Sequence, residues 1–78
     1  MIVAGVDIGA ATAKAVILNS DEVLSFSIIP TGPSGTRAAE AVTREALDKV
    51  GLSISQLKYV ISTGYGRRAI PFTNKVVT

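Results

Sequence analysis

The sequence predicts an α/β fold: one sheet of three antiparallel strands and a fourth, parallel strand, with a single main helix between strands three and four. Three features lead to this prediction. Residues 2–29 contain three strand-like runs separated by short turn sequences, which is typical of an antiparallel meander. Residues 36–50 carry apolar side chains at helical spacing, and a further apolar run follows at 57–63. A right-handed crossover that returns this run beside the first strand gives the strand order 3-2-1-4.

Length and composition restrict the chain to one small domain. Its mean hydropathy of +0.42 is high for such a domain and predicts an apolar face that packs against something else. A net charge of +2 without a Lys/Arg run gives no support for nucleic-acid binding. The absence of Cys and His removes disulfides, thiolate nucleophiles and the commonest general base. No apolar run reaches the ~18 residues of a membrane span and no signal peptide is visible, so we expect a soluble, cytoplasmic protein without a membrane partner.

Glycine, proline and small polar residues delimit the first three strands. Residues 2–8 form a continuous apolar strand, which we expect to be buried on both faces. Gly9 to Thr12 turn the chain, and residues 13–19 return as the second strand. Residues 22–29 alternate as a half-exposed strand at the sheet edge, and Pro30 ends it. The two sides of this third strand differ in polarity, with Leu24, Phe26 and Ile28 on one and Ser25 and Ser27 on the other.

The helix is predicted from its caps as well as from its period. Ser34 or Thr36 can accept a hydrogen bond from its first free amides, and Gly51 suits the left-handed residue that ends a helix. Its charged residues stand four apart and are interpreted as a solvated outer face: Glu40 with Arg44, and Glu45 with Lys49. Residues 70–78 contain apolar residues without a clear period, so no element is predicted there, and the chain reads as shortened.

The turn after the first strand is a candidate phosphate site. Asp7 is the only charged residue in the first strand, and a carboxylate there is costly unless a cation or donors meet it. Gly9 lets the chain turn tightly and exposes backbone amides to an anion, and Lys14 adds an ammonium group. The arrangement suits a metal-bound polyphosphate, with the carboxylate on the metal side. The alternative is ordinary Asp-x-Gly turn chemistry.

A second glycine-containing loop follows the fourth strand. It consists of Gly64, Tyr65, Gly66, Arg67 and Arg68. The order 3-2-1-4 places this loop beside Asp7 and Gly9, at the carboxyl edge where open α/β sheets bind ligands. Its amides and Arg67 can face phosphate or a partner's carboxylates. The alternative is a glycine turn that leads into solvated arginines.

Residues 6–18 and 61–67 together resemble the start of the BadF/BadG/BcrA/BcrD ATPase family, and the likeness extends over essentially all 78 residues. Members of that family include activators of 2-hydroxyacyl-CoA dehydratases and ATPase subunits of benzoyl-CoA reductase. The resemblance implies an RNase H-like half-domain of the actin/Hsp70/sugar-kinase superfamily, with residues 1–78 as the N-terminal subdomain of a two-lobed ATPase. It also implies ATP in the cleft between the lobes and a 4Fe-4S cluster that bridges two subunits. Hydrolysis would drive an electron into the acyl-CoA dehydratase or reductase component.

The resemblance implies a role for each loop residue. Asp7 would be the catalytic residue and would hold magnesium through a water molecule. The phosphates would be bound by Lys14 and by the backbone of Gly9, Ala10, Ala11 and Thr12. The second loop, with Gly64, Tyr65, Gly66 and Arg67, would lie near the cleft.

The chain departs from the family pattern in two ways. The first loop of the family is rich in hydroxyl groups, whereas Thr12 is the only one left here, so backbone amides must carry more of the binding. The cluster cysteines and the second phosphate loop of the family would lie beyond Thr78, and nothing in residues 1–78 can ligate iron. We therefore expect this chain alone to bind ATP weakly or not at all and to hydrolyse it negligibly, because the donors of the second lobe are required.

Two other classes of function remain open. An RNase H-like nuclease or resolvase also carries Asp on its first strand, but it needs several converging carboxylates to hold two metals. Strand four offers Ile61, Ser62 and Thr63 where such an acid would be required. A non-catalytic module could instead self-associate through its apolar excess and the tail at Ile70–Val77. A P-loop is excluded, because the run from Gly9 to Lys14 lacks the second Gly directly before the lysine and the Ser or Thr directly after it.

Overall fold

A computed structural model describes residues 1–64 and 75–77. Its elements are β1 (Ile2–Ile8), β2 (Thr12–Asn19), β3 (Glu22–Pro30), α1 (Gly35–Asp48), a 3-10 turn (Ile54–Gln56), β4 (Tyr59–Gly64) and β5 (Lys75–Val77). One sheet has the order β3-β2-β1-β4-β5. The predicted order 3-2-1-4 and the helix between strands three and four are confirmed. The fifth strand, parallel to β4, was not predicted, because residues 70–78 show no strand period.

The register of the sheet brings two strand ends together. β1 and β2 are antiparallel, with Asp7 opposite Lys14, whereas β1 and β4 are parallel, with Ile8 beside Gly64. A parallel pair needs a long crossover, which α1 supplies. The carboxyl ends of β1 and β4 therefore share one edge of the sheet, where the chain also turns from β1 into β2.

The core lies between α1 and one face of the sheet. Buried hydrophobic residues come from three strands and the helix, and comprise Ala4, Val6, Ile8, Ala13, Ala15, Ile17, Ala38, Ala39, Val42, Ala46, Leu47 and Val60. The expectation that β1 is buried on both faces was wrong, because α1 covers only one face in the described part of the chain. Asp7 is exposed between buried Val6 and Ile8. None of the described helices is long and apolar enough to cross a membrane.

The edge strand β3 alternates as predicted, but its serine side faces the helix. Ser25 and Ser27 are buried, whereas Phe26 and Ile28 are 62% and 53% exposed on the opposite face. Small side chains on this side let α1 approach the sheet closely. Both serine hydroxyls lack a hydrogen-bond partner among the described residues. A bulge opposite Ile17 and Leu18 adds one residue to β3 near its start.

The predicted helix boundaries have a structural basis. The Arg37 amide donates to Ser34 Oγ at 3.2 Å, and Gly51 takes the left-handed conformation with φ of +70°. On the outer face Arg44 and Glu40 form an exposed ion pair at 3.6 Å. Lys49 does not pair with Glu45, and its ammonium instead donates to the Phe26 carbonyl at 2.8 Å. This bond ties the end of α1 to the sheet edge.

Candidate functional site

A polar row crosses the carboxyl edge of the sheet. Lys14, Asp7 and Thr63 occupy neighbouring register positions on β2, β1 and β4, on the face that α1 leaves open. Side chains at directly opposed positions lie roughly 5 Å apart at Cβ. Asp7 and Lys14 are both exposed, and neither has a side-chain hydrogen bond or ion pair to any described residue. A free carboxylate and a free ammonium group therefore stand side by side at this edge.

The turn between β1 and β2 is tight and exposed. The Gly9 amide donates to the Thr12 carbonyl at 2.8 Å, which leaves only Ala10 and Ala11 between them. The amides of Ala10 and Ala11 donate to no described acceptor. Amides of this kind bind water or an anion.

Gly9 is required at this turn for a reason other than the predicted conformational freedom. Its φ is not positive, whereas that of Gly32 is +68°. A Cβ atom on Gly9 would lie 3.2 Å from the Thr12 carbonyl oxygen, which is part of the backbone and cannot move easily. The glycine therefore allows a close approach of two backbone segments rather than a left-handed turn.

Thr31 holds the same turn from the end of β3. Its Oγ1 donates to the Gly9 carbonyl at 2.8 Å, and its amide donates to the Ala11 carbonyl at 3.0 Å. Its side chain is 8% exposed. Thr31 was not predicted as a site residue. The available signal was the register of β2 against β3, since Thr12 opposite Pro30 places residue 31 next to the turn.

The second predicted loop is described only at its first residue. Gly64 ends β4 beside Ile8, which places it at the same edge as Asp7 and Gly9. Tyr65, Gly66 and Arg67 lie outside the described residues. Of the predicted site residues, the structure thus brings together Asp7, Lys14, Gly64 and the turn at 9–12.

An apolar groove runs along the open face from this polar row. Gly5 lies at its centre, and Val16, Phe26, Ile28 and Ile61 line it. Phe26 and Ile61 are 62% and 39% exposed. The charged side chains of Asp7 and Lys14 lie where the groove meets the polar row. An anion bound there would therefore lie next to an apolar surface bound in the groove.

The metal-binding capacity of the described residues is limited. They contain no group of three or more His, Cys, Asp or Glu side chains that could hold a metal ion. Asp7 is the carboxylate at this edge, and its exposure leaves it accessible to a hydrated cation. A cation here would take most of its ligands from water and from a bound phosphate, as is usual for magnesium.

No family model matches the chain, but sequence comparison relates it to two activators of acyl-CoA dehydratases. Over 68 residues, 86% of the chain, it is 37% identical to the 2-hydroxyisocaproyl-CoA dehydratase activator of Clostridioides difficile, of which it spans 25%. It is also 31% identical to the activator of lactoyl-CoA dehydratase of Anaerotignum propionicum over 68 residues, again 86% of the chain, and it spans 26% of that protein. The chain spans between 16% and 26% of the length of the curated relatives that it matches.

A solved structure agrees with the sequence comparisons. The activator of the 2-hydroxyisocaproyl-CoA dehydratase from Clostridium difficile, with bound ADPNP, is similar to 99% of this chain at a TM-score of 0.87 and 32% identity. The chain covers 29% of that structure. The predicted half-domain of the actin-like superfamily is thereby confirmed. By sequence and by fold, the chain belongs to the family of the 2-hydroxyacyl-CoA dehydratase activators.

Proposed function

We propose that the chain is the N-terminal nucleotide-binding subdomain, residues 1–78, of a two-lobed ATPase that activates a 2-hydroxyacyl-CoA dehydratase or a benzoyl-CoA reductase. The observation that carries this proposal is the exposed turn at Ala10 and Ala11. Its amides have no acceptor in the described structure and lie at the same sheet edge as the free Asp7 and Lys14 side chains. A related activator with the same fold binds ADPNP, an analogue of ATP.

Each residue at the edge has a distinct task in the proposed site. The amides of Ala10, Ala11 and Thr12 bind phosphate oxygens, and Lys14 neutralises their charge. The Gly9 amide was predicted to take part, but it already donates to the Thr12 carbonyl within the turn. Asp7 orients a water molecule on magnesium. Gly64 lies at the end of β4 on the same edge, and the resemblance implies that Tyr65, Gly66 and Arg67, which lie outside the described residues, contribute near the cleft. The chain thereby binds and orients the phosphates.

This chain can hold only some of the cofactors of the proposed ATPase, and the rest of the longer protein would hold the others. Magnesium fits the donor set, since Asp7 is exposed and has no partner among the described residues. Bound magnesium would neutralise charge on the transferred phosphoryl group. A 4Fe-4S cluster does not fit these residues, because the chain contains no cysteine. The cysteine ligands of this cluster, which would bridge two subunits, would come from residues after Thr78 in a longer protein.

The chain supplies only half of the proposed active site. Phosphoryl transfer requires donors placed around the developing charge on all sides, and the described edge faces the phosphates from one side. The second lobe would close the site. Hydrolysis would be coupled to the transfer of one electron to the acyl-CoA enzyme in the cytoplasm, and that electron would come from the iron-sulfur cluster of the longer protein after an external reductant has reduced it. We therefore expect residues 1–78 alone to bind nucleotide in the millimolar range and not to hydrolyse it.

A titration of the isotope-labelled chain with Mg-ADPNP, followed by NMR, tests the proposal. We expect amide shifts at residues 9–14 with a Kd of about 1 mM, which corresponds to roughly −4 kcal/mol. Asp7→Asn should remove the magnesium dependence of these shifts. Asp21→Asn is the matched control, since Asp21 is an exposed carboxylate at the opposite end of the hairpin pair. Shifts confined to other residues, or equal effects of the two variants, would refute the assignment.

The open apolar face favours a second candidate, a self-associating module. Phe26, Ile28 and Ile61 are exposed on one face of a small sheet, and such surfaces commonly mark contacts between proteins. This role is compatible with the first, since the groove and the polar row are adjacent. A nuclease gains no comparable support, because the register neighbours of Asp7 are Lys14 and Thr63, and the described residues contain no group of three or more His, Cys, Asp or Glu side chains that could hold metal ions.

A further inference from the structure

Two hydrogen bonds fix the peptide planes of the turn at residues 9–12. Both come from Thr31: its hydroxyl donates to the Gly9 carbonyl at 2.8 Å, and its amide donates to the Ala11 carbonyl at 3.0 Å. A carbonyl and the amide of the following residue belong to one planar trans peptide, and they point in opposite directions. A donor that holds the carbonyl therefore also sets the direction of the next amide.

This geometry determines where two amides of the turn point. The Gly9 carbonyl shares its plane with the Ala10 amide, and the Ala11 carbonyl shares its plane with the Thr12 amide. With both carbonyls held by Thr31, the Ala10 and Thr12 amides are directed away from Thr31. Hydrogen bonding to a carbonyl also polarises the peptide, which strengthens the amide as a donor.

The environment of Thr31 indicates that the hydroxyl is there for this contact. The side chain is 8% exposed, and a buried hydroxyl without a partner destabilises a fold. Two buried serines on the preceding strand β3, Ser25 and Ser27, have no hydrogen-bond partner among the described residues, so a buried hydroxyl on this side of the sheet is not bonded by default. The Thr31 hydroxyl reaches across to a different hairpin, 22 residues away in the sequence.

We propose that Thr31 is a positioning residue, whose hydroxyl and amide orient the Ala10 and Thr12 amides toward the nucleotide phosphates. The inference rests on the proposed function for its ligand, but the orientation itself is a property of the free chain. Thr31 touches no phosphate. It acts through the backbone of Gly9 and Ala11.

Three variants separate this role from a general contribution to stability. Thr31→Val removes the hydroxyl at nearly constant shape, and Thr31→Ser keeps it. Thr43→Val is the matched control: Thr43 is buried and donates to the Ala39 carbonyl at 2.7 Å inside α1, remote from the turn. For each variant, residual dipolar couplings give the directions of the Ala10 and Thr12 amides in the free chain, and titration gives the Kd for Mg-ADPNP.

The expected pattern is specific to the hydroxyl. Thr31→Val should turn the Ala10 amide and raise the Kd about tenfold. Thr31→Ser should restore both the direction and the affinity to within about twofold, and Thr43→Val should change neither. An unchanged Ala10 direction in Thr31→Val, or an equal loss of affinity in Thr43→Val, would overturn the proposal.

The free-chain measurement keeps this inference separate from the proposed function. If the wild-type chain shows no Mg-ADPNP shifts, the proposed function fails, and the couplings alone then decide whether Thr31 orients the turn. If Thr31→Val does not fold, Thr31→Ser is compared with Thr31→Ala by the same couplings. A direction of the Ala10 amide that is the same in Ser and Ala variants would again overturn the inference.

Discussion

Asp7 and Lys14 lie opposite each other on β1 and β2, exposed on the face of the sheet that α1 does not cover. Opposite charges at directly opposed positions of an antiparallel pair stabilise it by roughly 0.2–1 kcal/mol, and like charges destabilise it. Since the two exposed side chains form no ion pair in the described structure, their attraction in the absence of a ligand lies at the low end of this range. In the proposed function the same pair divides its tasks, with the carboxylate toward magnesium and the ammonium toward phosphate.

A charge swap separates these two contributions. Lys14→Asp alone sets two carboxylates against each other and should lower the free energy of unfolding by about 0.5–1 kcal/mol. The double variant Asp7→Lys with Lys14→Asp should recover that loss, because the opposite charges are restored. It should not recover the magnesium-dependent shifts, because the carboxylate then lies on β2. Urea unfolding and the Mg-ADPNP titration measure the two outcomes, and recovery of both would contradict the assignment of Asp7.

Glycine substitutions test whether close backbone approach holds the turn together. A Cβ atom on Gly9 would lie 3.2 Å from the Thr12 carbonyl oxygen, and one on Gly5 would lie 3.2 Å from a methyl group of Val16. The first neighbour is backbone, and the second is a half-buried side chain on the open face. We expect Gly9→Ala to destabilise the chain by about 1–2 kcal/mol and to weaken nucleotide binding.

Gly5→Ala provides the matched comparison for this prediction. Val16 can shift toward the open groove, and alanine reduces the conformational entropy of the unfolded chain, so the stability should change by less than about 0.5 kcal/mol. Urea unfolding of both variants, with similar m-values, measures the difference. Equal losses in the two variants would contradict the prediction, because the backbone contact at Gly9 would then be no more sensitive to an added Cβ atom than the side-chain contact at Gly5.

The sequence predicted the connections of this fold better than the orientation of its faces. The order 3-2-1-4 follows from one crossover rule and from the turn formers around Gly9, which are local signals. α1 covers one face of the sheet, and its position decides which side chains are buried. β1 is therefore buried on one face only, and Ser27, not Phe26, is buried on β3. From hydrophobicity alone, the side of β3 with Phe26 would be buried and the side with Ser27 would be exposed. β5 was missed because a strand of three residues has too few side chains to show a period.

The candidate site was predictable in part for a similar reason. Asp7, Gly9 and Lys14 form one short motif, and the crossover rule placed Gly64 beside them. Thr31 lies in a different segment of the sequence, and its bond to Gly9 depends on how β3 registers against β2. Such a contact has no signature in the local sequence.

The unpaired hydroxyl of Ser27 should reduce the stability of the fold. Ser27 is 1% exposed, and its Oγ has no hydrogen-bond partner in the described structure. Ser27→Ala removes a buried polar group and should raise the free energy of unfolding by about 1 kcal/mol. The control is Thr43→Val, in which the lost hydroxyl is bonded, so stability should fall by about 1 kcal/mol. A lower urea midpoint for Ser27→Ala would mean that the hydroxyl has a partner, such as bound water.

The open face should cause the chain to self-associate. Phe26 and Ile28 are 62% and 53% exposed and lie on the groove, together with Ile61. Exposed apolar side chains that form a continuous surface promote association, whereas single ones usually do not. We expect the sedimentation coefficient of the wild-type chain to increase with protein concentration.

Substitutions on the groove should abolish this association without unfolding the chain. The double variant Phe26→Ser with Ile28→Thr replaces side chains that are more than half exposed, so the free energy of unfolding should fall by no more than about 2 kcal/mol. Its sedimentation coefficient should be that of a monomer at all concentrations. Val50→Ser is the control, since Val50 is 38% exposed and does not line the groove, and it should associate like the wild type. A wild-type chain that stays monomeric, or equal behaviour of the two variants, would show that association does not occur through this face, because only the groove variant removes its apolar surface.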